Sequence, residues 1–210
     1  MVGDSHATQW LPALAQLASA NGWRLTTYLM SGCVLSSAGP VEKCREWNRR
    51  VLGTLRTVKY RFVLVSGRSL SGLTSLSAVS RTAGAIAKAW TQVIQAGSQV
   101  VAIQDVPQPV NAGRGDVPTC VYNHSNPAAC GFDQTRGERY DLVHVAAKSA
   151  PGVHLVDMNR YFCASGTCAA VIGNVLVYLD DKHMTSTYSQ SLTGPLLQEL
   201  QTAGLAANAR

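Results

Sequence analysis

The chain has 210 residues, 46% of them hydrophobic, which is enough to bury one substantial core and favours a single globular unit. No run of roughly 18 apolar residues occurs, which excludes a bilayer-spanning segment and an ordinary secretion signal within this stretch. The formal net charge of +6 comes from scattered Lys and Arg with few interleaved aromatic residues, so no nucleic-acid-binding platform is expected.

In chain order, Met1 and Val2 read as the end of a strand, followed by the turn Gly3-Asp4-Ser5-His6. Trp10, Leu11, Leu14, Leu17 and Ala18 then recur at helical spacing. Ser5 therefore falls where a first strand meets a first helix. With so few residues before Gly3, a first strand is unusually short, and the expectation is a fragment of something longer. Trp23 to Met30 reads as a second strand ending at Ser31-Gly32, and Val41 to Leu55 contains a helix with Trp47 and Val51 on one face.

Tyr60 to Val65 is a β-branched and aromatic run, predicted as a central strand and stopped by Ser66-Gly67-Arg68-Ser69. A long helix is predicted over Leu76 to Ala96, with Ala83, Ile86, Trp90 and Val93 on its core face and Gly97 as its stop. Gln99 to Ile103 is the next strand. About 35 residues rich in Pro, Gly and Asn follow, a length that marks a functional or a disordered segment, and the Cys120 and Cys130 pair inside it argues for an ordered excursion forming one wall of a substrate cleft. Tyr140 to Lys148 is predicted as a helix, Val153 to Val156 as a strand and Ser186 to Ala203 as one final helix. This alternation implies an α/β fold, a parallel sheet with helices on both faces.

Six cysteines lie as near neighbours in sequence: Cys33 with Cys44, Cys120 with Cys130, and Cys163 with Cys168. A Cys-x-x-Cys knuckle of the zinc kind is missing, and no metal-binding constellation emerges from the histidines and carboxylates. Near-neighbour disulfides are the preferred reading among fifteen formal pairings, with six reduced, buried thiols as the alternative. Oxidised pairs place the domain outside the cytoplasm. Each would contribute about 2 to 3 kcal/mol in the chain-entropy model.

Two segments carry chemistry. Gly-Asp-Ser is an ordinary turn sequence, but at a strand-to-helix junction it lifts the serine to the carboxyl edge of an α/β sheet, where such folds bind ligands. Near the other end, Asp180 stands three residues before His183. A carboxylate so placed can accept from the imidazole Nδ1–H and leave Nε2 to take a proton from a serine hydroxyl. Asp181 competes with Asp180 for that role; the spacing favours Asp180. His6 reads as a packing or capping residue at the helix start, His124 as a candidate substrate contact, His144 and His154 as structural or exposed. Asn174 reads as a turn residue.

The Gly3-Asp4-Ser5 block and the Asp180-x-x-His183 block, in that order, resemble the SGNH (GDSL-like) hydrolase superfamily. More narrowly, Gly3 through Pro12, the three cysteine pairs and the run Val171 through Thr185 look like the SGNH domains fused to bacterial acyltransferase-3 membrane proteins. The resemblance covers nearly the whole chain. It implies a three-layer α/β/α sandwich of the SGNH/flavodoxin-like type spanning residues 1–210, clipped by three disulfides and C-terminal in a longer membrane-anchored acyltransferase.

The implied activity is extracytoplasmic O-acyl transfer, often of acetyl, to hydroxyls of envelope glycans through an acyl-Ser5 intermediate, with Ser5, His183 and Asp180 as the triad and no cofactor. The implied partners are an acyl donor, a glycan acceptor and the acyltransferase-3 membrane domain. A secreted carbohydrate esterase or deacetylase, and a non-catalytic glycan-binding module, are the rival readings. The family's oxyanion hole adds a Gly and an Asn to the serine N–H. Gly32 matches the first, but Ser66-Gly67-Arg68-Ser69 has no Asn, leaving Arg68 as the candidate donor beside Ser5 and Gly32.

Overall fold

The computed structural model describes residues 1–68, 75–138 and 140–205. Five parallel strands form the central sheet: β1 (Val2–Gly3), β2 (Tyr28–Leu29), β3 (Phe62–Ser66), β4 (Gln99–Ile103) and, after a short strand β5 (Phe132–Asp133) outside it, β6 (Val153–Val156). Their order is β2-β1-β3-β4-β6. Both faces are covered, as parallel sheets require. Alternation along the strands sends Val63, Val65, Val100 and Ala102 into one core and Leu64, Val101 and Ile103 into the other.

Helices α1 (Ser5–Thr8) and α2 (Leu11–Asn21) open the chain, followed by α3 (Glu42–Thr57) and α4 (Leu76–Gln95). α5 (Val117–Asn123), α6 (Gln134–Gly137), α7 (Leu142–Lys148), α8 (Ser186–Ser191) and α9 (Thr193–Thr202) complete the set. Trp47, Leu55, Ile86, Trp90 and Val93 of α3 and α4 fill one core with Leu142 of α7. Trp10, then Leu14 and Leu17 of α2 and Leu196 and Leu200 of α9, fill the other. The architecture is thus the expected α/β/α sandwich, and three disulfides join Cys33 to Cys44, Cys120 to Cys130 and Cys163 to Cys168.

Two expectations are corrected. The strand expected over Trp23 to Met30 shrinks to Tyr28–Leu29, because its sole sheet neighbour, β1, offers two residues of ladder: Val2 faces Tyr28 and Gly3 faces Leu29. Trp23 is instead drawn into the end of α2, its N–H donating to the Ala18 carbonyl past the left-handed Gly22. The single helix expected over Ser186 to Ala203 breaks at Leu192. Pro195, in the first turn of α9, has no N–H, and its ring is incompatible with a helical carbonyl four residues earlier, at Ser191.

The long segment after β4 is an ordered excursion. It holds 3-10 turns over Pro109–Ala112 and Pro127–Cys130, α5, β5 and α6, and β5 joins β7 (Cys163–Ala164) and β8 (Thr167–Cys168) in a small antiparallel sheet. A hairpin of β9 (Val171–Ile172) and β10 (Val175–Leu176) turns through Gly173 and Asn174, both at positive φ, in keeping with the turn role expected of Asn174. Ser69, the last residue of the predicted strand-ending turn, lies outside the described residues.

Candidate active site

Strand order reverses direction at β1, whose neighbours are the second and third strands in sequence. Open α/β sheets bind ligands beyond the carboxyl ends of the strands at such a switch point, and Ser5 emerges there. Gly3 is demanded by packing. At φ +148° a side chain is strained, and a Cβ would stand 2.0 Å from the Ser66 carbonyl oxygen and 2.8 Å from Ala7 Cβ. Asp4 caps α1: one carboxylate oxygen accepts from the His6 N–H at 2.8 Å and the other from the Arg68 N–H at 3.1 Å. Burial pushes the Asp4 carboxyl up, and the neighbouring His6 and the two backbone bonds only partly offset that rise.

The C-terminal loop turns back between Tyr178 and Met184, which form an isolated antiparallel bridge, with the Leu179 N–H donating to the His183 carbonyl at 2.8 Å. Asp180 Oδ1 accepts from the backbone N–H groups of Lys182 at 2.8 Å and His183 at 2.7 Å. Those bonds turn Oδ2 toward the ring, 2.7 Å from His183 Nδ1, and His183 Nε2 stands 2.9 Å from Ser5 Oγ. With Nδ1–H donated to the carboxylate, Nε2 accepts from the serine hydroxyl. Burial raises the Asp180 carboxyl, but the ring and the two backbone donors outweigh it, so the net shift is downward and the carboxylate stays charged.

A third tie holds this loop in place: the Met184 N–H donates to Gln9 Oε1 at 2.9 Å, joining it to the segment between α1 and α2. Sequence reading missed Gln9, although it lies inside the Gly3-to-Pro12 block. Asp181 is not on the ring. Its side chain pairs with Lys182 Nζ at 2.6 Å and its carbonyl accepts from the Val110 N–H at 2.8 Å, which docks the long excursion beside the His183 loop.

The other sequence-selected residues fall as follows. Gly32 sits exposed at φ +72°, two residues beyond Met30, whose N–H donates to the Gly3 carbonyl and so keeps this end of β2 beside the turn that carries Ser5. Arg68 is half-buried, and its Nε donates to Gln108 Oε1 at 3.5 Å. His6 is fully buried, with Nδ1 2.7 Å from Asp105 Oδ1, so its side chain packs below the site. His144 meets Gln104 Oε1 at 3.2 Å, His154 is exposed on β6, and exposed His124 bonds to the Cys120 carbonyl. The cluster of Cys120, His124 and Cys130 has metal-like proximity, but both sulfurs are spent in one disulfide and offer no thiolate.

Comparison with solved structures finds the same fold. The periplasmic domain of a lipopolysaccharide acetyltransferase from Salmonella ser. Paratyphi A superimposes with a TM-score of 0.74 at 15% identity, covering 96% of this chain and 82% of that one. A protein of Slackia heliotrinireducens, classed provisionally as an SGNH hydrolase, gives 0.60 at 19% identity, covering 95% and 96%. The curated protein sequences hold no significant match. The model of the SGNH domain fused to AT3 domains matches residues 1–198, and the chain accordingly belongs to that family.

Proposed function

We propose that this domain transfers acyl groups, acetyl foremost, to hydroxyls of cell-envelope glycans by way of Ser5. The observation that carries the reading is the unbroken line from Asp180 Oδ2 through the His183 ring to Ser5 Oγ, with contacts of 2.7 and 2.9 Å. His183 Nε2 takes the Oγ proton as Oγ attacks the carbonyl carbon of an acyl donor. The protonated ring then returns that proton to the leaving group, giving an acyl-Ser5 ester. A sugar hydroxyl, deprotonated by the same nitrogen, attacks the ester, releases the acylated sugar and restores the serine.

The developing oxyanion is assigned to the Ser5 and Gly32 backbone N–H groups, with the Arg68 guanidinium standing in for the Asn of the family pattern. One such donor is worth on the order of 2.7 to 4 kcal/mol of transition-state stabilisation. The named activity of the Salmonella neighbour, acetyl transfer to lipopolysaccharide, is consistent with this reading. So is the family's fusion to AT3 domains, which would supply the acyl group from a membrane partner. The three disulfides support an extracytoplasmic site of action.

The test is a fluorophosphonate probe with glycan analysis of cells carrying the full-length protein. Labelling of Ser5, and loss of both labelling and glycan acylation in Ser5→Ala, is the expected result; unchanged acylation in Ser5→Ala overturns it. Hydrolysis is the second reading, favoured by the access of water to the site: the His183 side chain is 21% exposed. Rapid deacetylation of glycan without a membrane partner would select it.

A further inference from the structure

Behind the contact between Ser5 and His183 lies a second imidazole–carboxylate pair that the proposed transfer does not use. His6 and Asp105 are 0% and 2% exposed, with 2.7 Å between Nδ1 and Oδ1. Asp105 follows β4, and its other oxygen accepts from Gln108 Nε2 at 2.6 Å; Gln108 in turn accepts from Arg68 Nε. On its other side the His6 ring meets the His183 ring, centroids 4.7 Å apart and planes tilted by 47°. Burial works against the charged His6 ring, but the charge and hydrogen bond of Asp105 outweigh it and raise its affinity for a proton.

Stability alone does not account for the pair, since apolar side chains of similar volume commonly do as well in a buried position. Helix α1 supplies a different reason. It is four residues long, too short to hold its shape alone, so the place of Ser5 depends on ties to the rest of the fold. Its Asp4 cap reaches Arg68 after β3, and His6 reaches Asp105 after β4.

We propose that His6 is a positioning residue: gripped by Asp105, it pins the first turn of α1 to the exit of β4 and backs the His183 ring, keeping Ser5 Oγ and His183 Nε2 within hydrogen-bond reach. The proposal rests on reading Ser5 as the nucleophile.

Its test is the time course of Ser5 labelling by a fluorophosphonate, which separates the inactivation rate constant from initial binding. His6→Leu fills space without a donor and slows the rate constant about 10- to 100-fold with initial binding unchanged, the effect of ångström-scale misplacement. His6→Asn keeps an N–H at the Nδ1 position and labels within about 3-fold of wild type, while Asp105→Asn falls between the two. A merely structural role would lower the melting temperature without dividing rate from binding and without rescue by Asn.

Should His6→Leu fail to fold, Asp105→Asn carries the test, and wild-type labelling by that folded variant overturns the proposal. Crystal structures of wild type and Asp105→Asn add a readout independent of activity. If the variant keeps the contact between Ser5 and His183, the positioning role is overturned whether or not either protein labels. A wild type that keeps the contact yet never labels overturns the nucleophile assignment instead.

Discussion

Each residue of the Gly3-Asp4-Ser5-His6 block answers a separate physical demand. Glycine permits the close approach of β1 to Ser66, aspartate joins the α1 cap to Arg68, serine presents its hydroxyl, and histidine locks onto Asp105. Gly3→Ala is therefore expected to cost at least about 2 kcal/mol, from overlap and a positive φ together, read as a lower midpoint in urea unfolding. Asp180→Asn keeps the shape but removes the charge that holds Nδ1–H toward it. If Ser5 acts as proposed, its labelling should fall about 10⁴-fold, the effect of this change in a characterised Ser-His-Asp triad. The downward shift of Asp180 gives the pH sign: its bond to His183 contributes stability above the ordinary aspartate value, lost only as pH drops through the lower folded value. An NMR titration of the Asp180 side-chain carboxyl carbon with its midpoint at pH 5 would contradict this.

At the scale of elements, Asp141 caps α7 through one oxygen, which accepts from the N–H groups of Val143 at 2.9 Å and His144 at 3.1 Å. Its other oxygen is buried without a hydrogen bond among the described residues, and burial, with Asp105 adding to it, pushes this carboxyl well up. A raised acid is a source of stability at low pH that disappears as pH climbs through the folded value. Asp141→Asn preserves the cap without the charge, so its melting temperature should exceed that of wild type at pH 8 and the difference should vanish toward pH 4. An equal or lower value at pH 8 would contradict this assignment. In the α4 layer, Trp90 is 2% exposed in the core, and Trp90→Ala is expected to cost about 3 to 5 kcal/mol in chemical denaturation.

For the whole molecule, the disulfides clip three different places. Cys33–Cys44 ties the connection after β2 to α3, Cys120–Cys130 joins α5 to the turn after it, and Cys163–Cys168 staples paired positions of β7 and β8. Each closes a short loop worth about 2 to 3 kcal/mol. Reduction of all three should lower the melting temperature by about 10 °C or more, as seen by calorimetry with and without reductant. An unchanged melting temperature would mean the clips constrain little in the unfolded chain.

Local signals were enough for the elements with their own strong pattern: β4 and β6 fall where β-branched runs place them, and α4 begins and ends at Ser75 and near Gly97 as its caps require. The pairing of Asp180 with His183 was legible too, because three residues separate them and a turn alone brings them together. What lay beyond sequence depends on partners distant along the chain. The length of β2 is set by how much ladder β1 offers, the role of His6 by an aspartate 99 residues away, and the anchoring of Met184 by a glutamine 175 residues away. Periodicity and capping report what a segment prefers by itself; the distance of 2.9 Å between residues 178 positions apart arises only when α8 and α9 pack against α2 and carry the loop before them back to the turn after β1.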